Sequence, residues 1–537
     1  MGYVTSNSFW KKKLNETILT SFPWLVLLVL LGIFFRVAYY FYNRAFWLDE
    51  AWLALDITNR SFYEIVTAEN YFKPVPIGFA IISKIAISLL GNNEYIFRLF
   101  PLISGILSLF LYLVLLRRCA SEKAIPLAFG FFALSPYLVY YSNEFKYYSS
   151  DVLIALTLYF FIRDYPSKPS TPKRIILYGM IGSLVLWVSH TALFILASLT
   201  LLVIICSFKQ KELVYRFLAV QLLWVISFIF IYLISLKKVE RWGGIHSMWE
   251  AYFWPWPPWS WESLLWLQNS FWALFSYPTG FELFILAGIL FLLGAMVVWQ
   301  RNRYVFWSYM LPFLVTLIAS GLHKYPFSGR VILFLVPFLL FFVAEGLAIF
   351  FNKSRVSRLS GTILLVLLLV PMARQSWHDI SNPPNQEDMR PIVNFFKDHQ
   401  QDGDEIYINY SGISAFLYYM KVADIPLKAK ITKVWMHDLY KDNSGPYLLW
   451  ASVVAYGLEA IGHPTFEFLF TEALRPQEEH WQKILGSPRV WIILSHTFPG
   501  MPEFLLDCLD RAGHRLTEFK TQGSAIYLYN LEDSKNP

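Results

Sequence analysis

The chain has 537 residues, of which 56% are hydrophobic, 19% aromatic and only 15% charged. Soluble globular proteins carry roughly 25% charged residues, so this composition excludes a soluble enzyme and points to a bilayer as solvent. The formal net charge of +7 is spread between apolar segments rather than gathered in one run. That distribution argues against a nucleic-acid partner and makes the basic residues markers of membrane topology.

Lys11, Lys12 and Lys13 precede the first apolar stretch, and no small-x-small cleavage site follows it. The stretch reads as a retained first span rather than a cleaved signal. A span needs about 20 apolar residues. The candidates in chain order are 22–42, 97–116, 124–142, 149–163, 175–190, 191–207, 216–236, 282–299, 304–322, 330–350 and 359–374. Segment 75–91 is shorter and holds Pro76 and Lys84.

Charge decides how that segment is placed. With a cytoplasmic N-terminus and a non-spanning 75–91, the inside loops collect Arg117 and Arg118, Lys173 and Arg174, Lys209 and Lys211, Arg301 and Arg303, and Arg355 and Arg358. If 75–91 spanned, Arg117, Arg118 and the later clusters would move outside, against the positive-inside rule. The segment is therefore predicted to lie in the outer interface, with Lys84 snorkelling to the headgroups. This predicts about eleven spans and an outside C-terminus.

Residues 375–537 change character, with Pro383 and Pro384 and charged helical patterns. Helices are predicted over 389–399 and 502–513, and strands over 405–410, 489–495 and 525–531. Cys508 is the only cysteine here, so an internal disulfide is excluded, and Cys119, Cys206 and Cys508 have no zinc spacing. The predicted architecture is a polytopic α-helical membrane domain over 1–374, with outer loops 43–96 and 237–281. A small extracytoplasmic α/β domain follows over 375–537.

The polar residues of the outer loops are the candidates for chemistry. The first loop holds Phe46-Trp47-Leu48-Asp49-Glu50 directly after the first span. Two acids among aromatics at a membrane surface are costly unless used or hydrogen-bonded. They either cap an interfacial helix or act as a catalytic base with a helper. Adjacent carboxylates cannot flank a sugar from both faces as the acids of a glycosidase do. One base suits a donor whose leaving group is a phosphate, which needs positive charge rather than a general acid.

Cations for that task are Lys73, Lys146, and His323, Lys324 and Arg330, all on the outer side. Each runs against the positive-inside bias, or simply reaches lipid headgroups. Glu144, Tyr147, Tyr148 and Asp151 are spaced to form one polar helical face. His190 falls at the outer end of a span and is read as a substrate contact or a structural hydrogen-bonder. Loop 237–281 crowds Trp249, Trp254, Trp256, Trp259, Trp261, Trp266 and Trp272 with Pro255, Pro257 and Pro258. It reads as an aromatic belt, or as a lid stiffened by proline.

Four segments in this order carry a resemblance. They are Trp47-Leu48-Asp49-Glu50, Phe72-Lys73-Pro74, Glu94 to Arg98-Leu99-Phe100-Pro101, and Tyr141-Ser142-Asn143-Glu144-Phe145-Lys146-Tyr147-Tyr148. Together they resemble the GT-C superfamily of polyprenyl-phosphate-sugar-dependent glycosyltransferases. The branch is that of the protein O-mannosyltransferases, the aminoarabinose transferases of lipid A and their bacterial relatives. The resemblance covers about residues 10–350 and, weakly, the C-terminal domain.

It implies an inverting transfer of a sugar from a polyprenyl-phosphate carrier to a lipid, glycan or protein hydroxyl. Asp49 falls at the position of the base, with Glu50 beside it, and Lys73 falls near the donor phosphate. Glu144, Tyr147, Tyr148 and His190 are the expected substrate contacts. Lys146, His323, Lys324 and Arg330 are the expected phosphate or lipid ligands. Two departures stand out: Val75 separates two prolines that are successive in the family, and Lys146 stands where arginine is frequent. Lysine keeps the charge but not the bidentate fork. A divalent cation at Asp49 and Glu50 is left open, since some members use one. The resemblance also implies a bacterial plasma membrane location. The alternative is a non-enzymatic carrier of lipid-linked glycans, a flippase or polymerase-like protein, which would favour ionisable groups at mid-span depth, where Arg36 and Glu345 lie.

Overall fold

A computed structural model describes residues 23–67, 75–162, 171–207, 209–238, 249–351, 354–383, 387–428, 430–433, 485–497 and 500–532. The protein is a multi-pass integral membrane protein. Among the described residues, seven helices are long and apolar enough to cross a membrane, and further apolar helices are shorter.

Over the described residues, each predicted span is built mainly of helix. The first is α1 (Pro23–Tyr42), followed by two short helices of the first loop, α2 (Leu48–Asn59) and α3 (Phe62–Thr67). Then come α4 (Ile77–Leu90) and the long α5 (Glu94–Cys119), whose N-terminus Asn93 caps by accepting from the amide of Ile96. The predicted span 124–142 is broken into α6 (Ala124–Leu134) and α7 (Pro136–Tyr141). Pro136 lacks an amide hydrogen and forces Ser135 into an extended conformation, φ −62° and ψ 121°, so the helix stops and restarts.

Four helices follow: α8 (Tyr148–Ile162), α9 (Pro172–Val188), α10 (Ala192–Ser207) and α11 (Lys211–Ile231). Beyond α12 (Trp261–Ser276), in the Trp-rich region, lie α13 (Phe284–Arg301) and α14 (Arg303–Gly321). The bundle closes with α15 (Val336–Ala348) and α16 (Arg355–Ser381).

Helix α4 has 14 residues, about 21 Å of rise, too short for a hydrocarbon core of about 30 Å. Its buried stripe (Ile77, Phe79, Ala80, Ser83 and Ile87) packs against protein. Lys84 does not snorkel as predicted. Its Nζ donates to the carbonyls of Ile57 (3.0 Å) and Thr58 (3.2 Å), satisfying the C-terminal end of α2.

Helix α15 is buried on all sides and forms the axis of the bundle. It meets α13 through glycines. A Cβ on Gly346 would lie 2.0 Å from the Leu290 carbonyl oxygen, and one on Gly294 would lie 1.8 Å from that of Phe342. Close backbone approach of this kind is how helices associate where lipid tails supply no hydrophobic drive. The helix ends that charge groups together also meet. Arg301 donates to both oxygens of Glu345 (2.7 and 2.9 Å), which also accept from the amide and hydroxyl of Ser121.

The C-terminal region supplies α17 (Met389–His399), β1 (Glu405–Ile408), α18 (Tyr410–Val422), β2 (Lys430–Lys433), β3 (Val490–Ser495), α19 (Met501–Ala512), β4 (His514–Thr521) and β5 (Ser524–Asn530). The sheet order is β2-β1-β3-β5-β4, with β1 parallel to β2 and β3, and β5 antiparallel to β3 and β4. This sheet shares one apolar core with the outer loop: Phe46, Ile57, Phe79, Phe97 and Phe145 pack with Ile392, Phe396, Phe416, Tyr418 and Trp491.

Gly346→Ala should lower the thermal midpoint by several degrees, because its Cβ meets backbone that cannot rotate away; overpacking costs about 1–3 kcal/mol. Gly130→Ala, whose Cβ would meet only side chains at 3.8 Å, should not. Equal melting of the two variants in detergent would contradict this packing.

Candidate functional site

Trp47 is extended and Leu48 opens α2, so Asp49 and Glu50 sit in its first turn, where carboxylates are favoured. Successive helical residues project about 100° apart, and the two acids go different ways.

Glu50 points inward and is fully buried. Arg98 reaches it with Nε (3.0 Å) and Nη2 (2.8 Å), and Arg44 with Nη1 (3.0 Å). The amide of Phe145 donates at 2.6 Å. Burial pushes its pKa up, but Arg44, Arg98 and the Phe145 amide together outweigh that and hold it below the usual carboxylate value. Four donors leave no acceptor position for a proton or a metal. The structure therefore gives Glu50 a structural task rather than the catalytic one expected beside Asp49.

Asp49 remains 27% exposed. Its Oδ2 accepts from Arg330 Nη2 at 2.8 Å, and Lys146 Nζ lies 3.8 Å away. Burial again pushes the pKa up, and Lys146, Arg330 and His496 turn the balance downward. A carboxylate thus sits between two cations and is itself reachable.

Arg330 follows Gly329, whose φ of +53° suits glycine and whose Cα packs against the Tyr277 ring. The guanidinium lies 5.5 Å from the Trp47 ring centre and 5.8 Å from that of Tyr148. His323 and Lys324, expected to work with Arg330, are exposed. His323 stacks on Phe253 at 5.1 Å, on the Trp-rich segment. Of that loop, it is Arg330 that reaches Asp49. Lys73 lies outside the described residues.

Glu144, Tyr147, Tyr148 and Asp151 do not form one helical face, because Ser142–Tyr147 is a turn and α8 starts at Tyr148. Glu144 is buried and accepts from Trp47 Nε1 at 3.3 Å. Its Oε2 has no hydrogen-bond partner among the described residues. Burial, reinforced by Glu50 and opposed by Arg330, Arg44 and Lys146, pushes its pKa up to about 7. Asp151 instead accepts from the hydroxyls of Ser189 and Thr191. Tyr147 packs on Phe79 with centroids 6.2 Å apart. His190 stands in the turn between α9 and α10.

Two residues that sequence reasoning missed complete the cluster. Glu387 is buried, and its Oε2 accepts from the amide of Leu48 at 3.0 Å. Its Oε1 lies 2.5 Å from His496 Nδ1. The His496 ring centre is 6.2 Å from that of Trp47. Nothing local in the sequence marks either residue; Glu387 lies 339 residues beyond Leu48.

Among the described residues, no group of three or more His, Cys, Asp or Glu side chains is placed to hold a metal. The first-loop acids do not fit one either, because donors fill Glu50 and cations flank Asp49.

No family model matches the chain, and no curated protein does. Solved structures do. ArnT from Cupriavidus metallidurans, bound to undecaprenyl phosphate, aligns at TM-score 0.56 and 10% identity, over 96% of this chain and 99% of that one. The same protein in the apo state aligns at TM-score 0.55 and 11% identity, with the same coverage. The chain described here shares the fold of ArnT.

The two acids should separate in a stability measurement. Glu50→Gln leaves two buried arginines short of a counter-charge and should cost about 3–5 kcal/mol. Asp49→Asn breaks a partly exposed pair and should cost about 1 kcal/mol or less. Chemical denaturation in detergent reads the difference; a Glu50→Gln protein as stable as wild type would contradict the role given to Glu50.

Proposed function

We propose that this chain is an inverting glycosyltransferase that moves a sugar from a polyprenyl-phosphate carrier to an acceptor hydroxyl on the non-cytoplasmic face of a bacterial plasma membrane. The observation that carries the reading is Asp49, reachable and held between Arg330 and Lys146. The GT-C fold and the undecaprenyl phosphate bound by ArnT support it. The inside N-terminus and outside C-terminus rest on the charge pattern.

The reaction follows from the charges. The carrier phosphate enters as an anion and competes with Asp49 for Arg330 and Lys146. Once those cations turn to phosphate, the low pKa imposed on Asp49 is relieved and its carboxylate becomes a better base. Asp49 takes the proton of the acceptor hydroxyl as that oxygen attacks the anomeric carbon. The bond from that carbon to the phosphate oxygen breaks, and the polyprenyl phosphate leaves with the electron pair. The cations stabilise the charge as it develops. Attack opposite the leaving group inverts the anomeric centre. Lys73 is assigned to the same phosphate on the strength of the family resemblance. Glu144 and Tyr148 line the site beside Trp47 and Arg330.

The transport alternative gains no support from Arg36 or Glu345. Arg36 is taken up by the carbonyls of Gly32 (2.9 Å) and Ala133 (3.1 Å), and Glu345 by Arg301 and Ser121. Both act as helix-to-helix ties.

Membranes supplied with a panel of radiolabelled polyprenyl-phosphate sugars should show label transfer with wild type. Asp49→Asn should lose roughly 100-fold or more, the scale of general-base catalysis. Arg330→Lys should lose about tenfold, because a point charge replaces a planar fork. No transfer of any sugar, or equal transfer by Asp49→Asn, would refute the reading.

A further inference from the structure

His496 stands immediately after β3, at the tip of the C-terminal sheet, with φ +51°. A non-glycine residue in the left-handed region is strained and persists only where its surroundings fix it. Here they do. Asn409 clasps Ser495 from both sides: its Nδ2 donates to the Ser495 carbonyl (2.7 Å) and its Oδ1 accepts from the Ser495 amide (3.0 Å). The hydroxyls of Ser495 and Ser524 meet at 2.9 Å.

The strained backbone carries the imidazole to Glu387, a buried carboxylate whose other oxygen holds the amide next to Asp49. Nδ1 faces the Glu387 carboxylate as an ion pair, and the His496 side chain is 43% exposed. A carboxylate fixing one ring nitrogen sets the orientation and protonation of the other. The charged groups facing His496 are Glu387 and, across Trp47, Asp49 of α2. Arg330 lies over the same Trp47 ring.

We propose that His496, oriented by Glu387, is a third cationic ligand of the carrier phosphate, brought to the Asp49 site by the C-terminal sheet. The proposal rests on the reading of that site as a phosphate-binding one. In it, Arg330 and Lys146 come from the membrane bundle and its loops, and His496 comes from the far end of the chain. Glu387 acts as a positioning residue, tying the imidazole to the first turn of α2.

The sign of the pH dependence follows. Glu387 holds the His496 pKa above the ordinary histidine value; burial opposes this and Asp49 adds to it. The imidazolium is therefore present below that raised pKa and lost as pH rises through it. The phosphate titrates as well, but equally for wild type and variant, so their ratio isolates His496.

Binding of undecaprenyl phosphate to the purified full chain tests the proposal, with wild type, His496→Gln and Glu387→Gln compared at about pH 6 and about pH 9. His496→Gln should bind roughly five- to tenfold more weakly than wild type at the lower pH, and equally at the higher. Glu387→Gln should lose the advantage of His496 at a lower pH than wild type does. Equal binding by His496→Gln at both pH values overturns the proposal. So does an equal deficit at both, the mark of a merely structural residue. A wild type that binds no undecaprenyl phosphate overturns the phosphate reading of the site, and this proposal with it.

Discussion

Glu50 is the point on which the loop face of the molecule is hung. Its two oxygens gather Arg44 from the exit of the first span, Arg98 from the start of the second and the Phe145 amide from the turn before α8. Removing a carboxylate from water is expensive and is offset only where hydrogen bonds and counter-charges are complete. Three segments must therefore be in place together, or the charge is stranded. Asp49, one residue earlier and about 100° around the helix, is aimed at the open side by the same constraint.

The C-terminal sheet extends this arrangement. It packs on the outer-loop helices through a shared apolar core, and polar ties define its register. Tyr419 accepts from the Phe46 amide and donates to Glu94, while Arg390 donates to the Asn43 carbonyl. Glu387 adds the tie to Leu48. The loop bearing Asp49 is thus gripped from the membrane side by Glu50 and from the sheet side by Glu387. Between these grips the Asp49 carboxylate keeps the exposure that chemistry needs.

Much of the fold was legible in the sequence, because bilayer thickness and backbone hydrogen bonding leave few choices. Spans followed from apolar length. The strands and helices of the C-terminal region fell close to their predicted places, though β2, β4 and α18 were not foreseen. The break at Ser135–Pro136 was written in Pro136 and overlooked. The site was less legible. Asp49 stood out as an acid beside a membrane, but adjacency made Glu50 look like its partner, and only packing reveals that Arg98 and Arg44 claim it. His323, Lys324 and Arg330 were equivalent as letters; the turn at Gly329 decides which one reaches Asp49. Glu387 and His496 carry no local signal, since their meaning depends on a contact across hundreds of residues.

In the proposed reaction Asp49 stands in for the phosphate until the donor arrives and serves as the base afterwards. Those roles oppose each other in one variant. Asp49→Asn removes an internal competitor for Arg330 and Lys146 while removing the base. The direct measurement is undecaprenyl phosphate affinity alongside the sugar-transfer rate in wild type and Asp49→Asn. Tighter lipid binding together with lost transfer is the expected result; a variant that binds the lipid no better than wild type, or that transfers as fast, contradicts the two roles proposed for Asp49.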